Sequence, residues 1–109
     1  ILFEKGRPNF DDFVKSEHRF FEVEGLTGTG DRSLMLKKVI ERFGEKHGFS
    51  TQAEARNWMS RQKTEYGTGL ELHHSGPRAF ELVPREVHKA AQHGGFPGSA
   101  AQLRDASTP

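Results

Sequence analysis

At 109 residues, with 33% hydrophobic and 28% charged side chains, the chain is one small domain, large enough for a modest core and too short for two. It has no cysteine, which excludes disulfides and a thiolate zinc site, and no apolar run near the roughly 20 residues of a membrane span. The net charge of +1 excludes the strong basic excess of many nucleic-acid binders, but the charge is unevenly spread. Residues 1–30 carry 4 Lys/Arg against 6 Asp/Glu, residues 31–66 carry 8 against 5, and residues 67–109 carry 4 against 4. The middle segment is therefore the expected phosphate-facing surface. The chain begins at Ile1 with neither an initiator methionine nor a signal peptide, and is expected to be a fragment of a longer polypeptide.

Residues 1–17, with Pro8 and the scattered Phe3, Phe10 and Phe13, read as an extended arm packed by its aromatics. His18 to Val23 has strand composition, and Gly25, Gly28 and Gly30 punctuate the stretch after it. Asp31 is the expected N-cap of a helix reaching about Phe43. Leu34, Met35, Leu36, Val39, Ile40 and Phe43 form its apolar stripe, and Gly44 and Gly48 fit its end. Thr51 with Glu54 three residues on is a capping box for a second helix. Its core face is Ala53, Ala55, Trp58 and Met59, and Gly67-Thr68-Gly69 closes it. Met35, Phe43 and Trp58 at helical spacing read as core, and His18 and His47 receive no functional role. Leu70 to His73 alternates as a half-buried strand does, Ser75-Gly76-Pro77-Arg78 is turn-rich, and Ala79 to Val83 forms a second, antiparallel strand. Pro84 suits the first position of a helix through Val87, His88, Ala90 and Ala91, capped by Gly94 or Gly95. A short helical piece is expected around Ala100 to Arg104.

His73, His74, His88 and His93 are four of the six histidines, gathered in this strand–turn–strand–helix region. Imidazole is the commonest protein ligand for transition metals and the natural base near neutral pH. Successive strand side chains point to opposite faces, so His73 and His74 do not serve one centre alike. One is expected to face a metal and the other a neighbouring water. His88 and His93, five apart, are about 140° apart around an ideal helix and share a metal only if the helix ends near His93.

Glu71-Leu72-His73-His74, the hairpin, Val83-Pro84-Arg85-Glu86-Val87-His88 and His93-Gly94-Gly95 together resemble the HNH/endonuclease VII (His-Me finger) superfamily. Within it the pattern is most similar to bacterial polymorphic-toxin nucleases of the LHH or WHH type, and the nuclease colicins are similar around Glu-Leu-His-His. The resemblance implies an α+β fold with a ββα-metal core and additional N-terminal helices. Residues 1–68 would be a helical scaffold, 69–95 the motif and 96–109 a tail of one domain. It implies one divalent ion, Zn or Mg/Mn, held by His73, His88 and His93, and His74 as general base. Glu71 would position a histidine or a basic phosphate contact. Glu81 stands near the place of the superfamily's central asparagine, where a carboxylate would either accept the Nδ1–H of His74 and orient the base or stand as a neighbour of the metal. Arg78, Arg85 and Lys89 are candidate phosphate contacts. The implied activity is a DNA endonuclease leaving 5′-phosphate ends, delivered as an interbacterial toxin to the target-cell cytoplasm and blocked by a small acidic immunity protein. Two alternatives stay open: a structural zinc module with His74 as fourth ligand, and the same site acting on RNA.

Overall fold

One strand of an antiparallel hairpin carries the histidine doublet in this α+β domain. The computed structural model describes residues 2–4, 7–28 and 30–91, with side chains from residue 9 onward. The chain starts with an antiparallel pair, β1 (Leu2–Glu4) and β2 (Arg7–Asn9). Two 3-10 turns, Asp11–Phe13 and Ser16–His18, lead into β3 (Arg19–Phe20). The helix α1 (Arg32–Val39) runs through a π turn (Ile40–Gly44) into α2 (Glu45–His47), and α3 (Gln52–Arg61) comes next. A small hairpin of β4 (Lys63–Thr64) and β5 (Gly67–Thr68) precedes β6 (Leu70–Gly76), β7 (Ala79–Pro84) and the last described helix, α4 (Arg85–Ala91).

The main sheet has the order β3-β7-β6, all antiparallel, so β6 is an edge strand among the described residues. Leu72 lies opposite Leu82, His73 opposite Glu81 and His74 opposite Phe80, with a bulge between His74 and Gly76. Directly opposed residues share a face of the sheet. Phe80, Leu82 and Leu70 therefore join Phe20, Leu36, Val39, Phe43, Trp58 and Met59 in the larger core under α1 and α3. Val83 turns the other way and packs with Phe10, Val14, Val87 and Ala91 beneath α4 and the N-terminal arm.

The capping box at Thr51 forms as expected: the Thr51 hydroxyl accepts from the Glu54 N–H, and the Glu54 carboxylate accepts from the Thr51 N–H. Other boundaries move. The first helical run passes Phe43 and reaches His47, ending at Gly48 in the left-handed conformation (φ +78). Gly44 stands inside it because a Cβ there would collide with the Phe49 carbonyl oxygen, where the chain folds back. The second helix stops at Arg61, β3 falls within the stretch of strand composition from His18 to Val23, and the β4–β5 hairpin stands in the segment expected as helical scaffold. Pro84 is the last residue of β7, opposite Leu70; α4 begins at Arg85, whose N–H donates to the Gly69 carbonyl at 2.9 Å. The expected cap at Gly94 or Gly95 and the helical piece at 100–104 lie outside the described residues.

Phe80 is fully buried and stacks on Phe20 at 4.3 Å between centroids, joining β3 to the hairpin. Its replacement by alanine is expected to cost about 3–5 kcal/mol in a urea titration, from lost burial plus the cavity left behind.

Candidate functional site

His73 and His74 leave the strand on opposite faces, and each meets a different carboxylate system. On the face toward α1, the His74 Nε2 lies 2.8 Å from Asp31 Oδ2. Asp31 precedes α1 but makes no capping bond to it. Its carboxylate instead turns back to the preceding loop. It accepts from the Thr27 N–H at 3.0 and 3.1 Å, the Thr27 hydroxyl at 3.0 Å and the Gly28 N–H at 2.8 Å. Burial alone would push the Asp31 carboxyl up. The hydrogen bonds from His74, the Thr27 and Gly28 amides and the Thr27 hydroxyl outweigh it and bring the pKa down to about 2. Near neutral pH Asp31 is thus an acceptor only, so His74 Nε2 carries the proton and donates it. In the neutral ring the lone pair then belongs to Nδ1. The His74 side chain is 30% exposed, so solvent reaches the ring.

On the opposite face, His88 from α4 donates its Nδ1–H to Glu71 Oε2 at 2.6 Å. Arg85 Nε stands 3.5 Å from the other Glu71 oxygen. The Arg85 guanidinium lies directly over Gly69, where a Cβ would approach its Cζ to 2.9 Å; the positive φ of +108 further favours glycine at that position. The His73 and His88 rings are 5.4 Å apart between centroids, and the buried Phe10 ring meets His73 edge-on at 4.9 Å. The N-terminal arm thus supplies an apolar wall to the imidazole pair.

No family model, curated protein or solved structure matches the chain. The chemistry of the site therefore rests on its own geometry. Two imidazoles on one tetrahedral ion, with metal–nitrogen bonds of about 2.0–2.1 Å, place their ring centroids about 5 Å apart, close to the His73–His88 spacing. A carboxylate on the far nitrogen of a ligating histidine is also the usual support for such a ligand, and Glu71 occupies that place on His88. With Nδ1 engaged there, coordination by His88 would use Nε2. Among the described residues no group of three or more His, Asp and Glu side chains is gathered as a metal site. His93, the third ligand expected from sequence, lies outside the described residues.

Glu81 does not hold His74. It lies opposite His73 and Arg19 in the sheet, on the face away from His74, and the strand period forbids the expected bond. Asp31 takes that position. Glu81 is buried, and its carboxyl is pushed up by burial, with Asp11 adding and Arg19 opposing. Arg85 reaches the site through Glu71, whereas Arg78 in the hairpin turn and Lys89 on α4 are exposed. Neither makes an ion pair or side-chain hydrogen bond with the histidines among the described residues. Asp31 was hidden by its position: an aspartate before a helix reads as a cap, and only the fold brings it 43 residues along the chain to His74.

The depressed Asp31 pKa fixes the sign of a pH effect. Its contribution to stability is present above the unfolded value of 3.8 and is lost as pH falls through about 2. Asp31→Asn is therefore expected to be less stable than the parent near pH 7, with the gap narrowing between pH 4 and pH 2. Denaturant midpoints measured across that range check this, and a gap independent of pH would contradict it.

Proposed function

We propose that the chain is a metal-dependent endonuclease in which His74 is the general base and His73 and His88 are metal ligands. The observation that carries the reading is the division of the doublet: His74 is held by Asp31 on one sheet face, while His73 meets His88, itself bonded to Glu71, on the other. A histidine bound to a metal has no lone pair for base work, so ligand and base must be separate residues, and the opposite faces taken by His73 and His74 support that division. The edge position of β6 makes the division usable. A phosphodiester lying along an open edge is approachable by side chains from both faces.

In this reading His74 Nδ1 takes a proton from the attacking water, and the Asp31 carboxylate on Nε2–H stabilises the imidazolium that forms. Glu71 fixes the His88 ring, and Arg85 fixes Glu71 while presenting the rest of its guanidinium to a phosphate. A divalent ion held by His73 and His88, with His93 as third ligand, would supply Lewis-acid stabilisation of the phosphate and of the leaving oxygen. The resemblance to toxin nucleases of the His-Me finger superfamily supports the same roles, and with them the ββα-metal core. By that resemblance the domain is an interbacterial effector's toxin, acting on DNA in the target-cell cytoplasm and neutralised by an immunity protein. The structural-zinc alternative needs His74 as a fourth ligand beside His73, and the placement of the two on opposite sheet faces weighs against it.

Supercoiled plasmid incubated with the protein and Mg²⁺, Mn²⁺ or Zn²⁺ tests the reading. Nicking is expected with at least one metal. His74→Ala should lose about 10²–10⁴-fold in rate. Asp31→Asn, which removes a positioning residue, should lose about 10–100-fold in kcat with little change in KM. Intact plasmid under every metal, or equal cutting by His74→Ala, would falsify the assignment. RNA of the same sequence in a parallel arm separates the two nucleic-acid substrates.

A further inference from the structure

Beside the edge strand β6 lies a groove of about 450 Å³ between α1, α3 and the start of α4. Its charged wall is made by Arg32 of α1, Arg56 of α3 and Arg85 of α4, with Asn57 and Ser60 as neutral donors between them. Glu71 is the one carboxylate on the lining, so arginine outnumbers acid three to one there. Arg32 and Arg56 are exposed, and neither has an ion-pair or hydrogen-bond partner for its guanidinium among the described residues. The floor is apolar, from the buried Leu36, Met59 and Leu70.

The groove adjoins the histidines. Glu71 and His88 are among its lining residues. Arg32, also on the lining, directly follows Asp31, the residue that holds His74. The arginines thus stand beside the strand that carries His73 and His74. Guanidinium groups present planar forks that bind phosphate oxygens in pairs, and three of them along one edge fit successive charges on a chain rather than a single anion.

We propose that this groove binds the sugar-phosphate backbone of a single nucleic-acid strand, with Arg32 and Arg56 holding phosphates flanking the one presented to His73 and His74. The assignment rests on the endonuclease reading for the fate of the strand once bound, but binding itself needs no metal. Arg32 and Arg56 are then substrate-positioning residues from the basic middle of the sequence, on helices that otherwise only build the core.

The test separates binding from cutting. Fluorescence anisotropy of a labelled 12-nucleotide single strand is measured in EDTA, with the same sequence as DNA and as RNA. The comparison set is the parent protein, Arg32→Ala, Arg56→Ala, the conservative Arg56→Lys, and Lys46→Ala as a charge control. Lys46 is exposed and does not line the groove. Each groove alanine is expected to weaken binding about three- to tenfold and to lower the slope of log K against log salt by about 0.7. Arg56→Lys should recover part of the affinity and Lys46→Ala should match the parent. Equal weakening by Lys46→Ala, no weakening by either groove variant, or tighter binding of polyglutamate than of the oligonucleotide would overturn the groove assignment. Arginine-dependent binding without cleavage under any metal would keep the groove and remove the endonuclease. Metal-dependent cleavage with binding indifferent to Arg32 and Arg56 would do the reverse.

Discussion

Two adjacent histidines in a regular strand cannot face the same way, and the arrangement of the whole site stems from that. Because β6 stays extended through His73 and His74, one imidazole joins the side of the sheet covered by α4 and the N-terminal arm, and the other joins the side covered by α1. Each side then needs its own polar partner at the margin of a core. Asp31 meets that need from the loop before α1, and Glu71 and His88 meet it from β6 and α4. The bulge between His74 and Gly76 comes only after both side chains are placed, so it ends the pairing without undoing the division.

The two buried carboxylates show how placement decides chemistry. Asp31 and Glu81 are 7% and 4% exposed, yet their pKa values move in opposite directions. Desolvation opposes ionisation in both. Asp31 overcomes it because two backbone amides, a hydroxyl and an imidazole all donate to it. Glu81 has the charge of Arg19 opposing burial, and Asp11 works the other way. A carboxylate that is firmly ionised can fix a tautomer; one pushed toward its neutral form is poorly suited to that task. The partner of His74 is thus chosen by hydrogen-bond supply as well as by reach.

The N-terminal arm and the paired helices, which read as scaffold, take part in the site. Phe10 closes one side of the imidazole pair, and α1 and α3 contribute arginines to the edge of β6 beside their core-facing residues. A helix in a small domain has few residues to spare, so opposite faces of one helix carry the core and the surface chemistry. Arg32 next to Asp31, and Arg56 next to Ala55, are cases of this division.

Local chemistry in the sequence was enough for the Thr51–Glu54 cap, the Leu70–Val83 hairpin and the separation of His73 from His74. Capping boxes, turn residues and strand alternation act over a few residues and need no knowledge of the rest of the chain. Helix ends were less legible, since Gly44 looked like a stop and is instead the small residue that lets Phe49 fold back. The partner of His74 was not legible at all. Glu81 is the nearer carboxylate in sequence, and the antiparallel register sets it opposite His73, while packing of α1 against the sheet brings Asp31 from 43 positions away. Periodicity assigns a side chain to a face; only the assembled tertiary structure decides which distant group waits on that face, because that depends on how separate elements share a core.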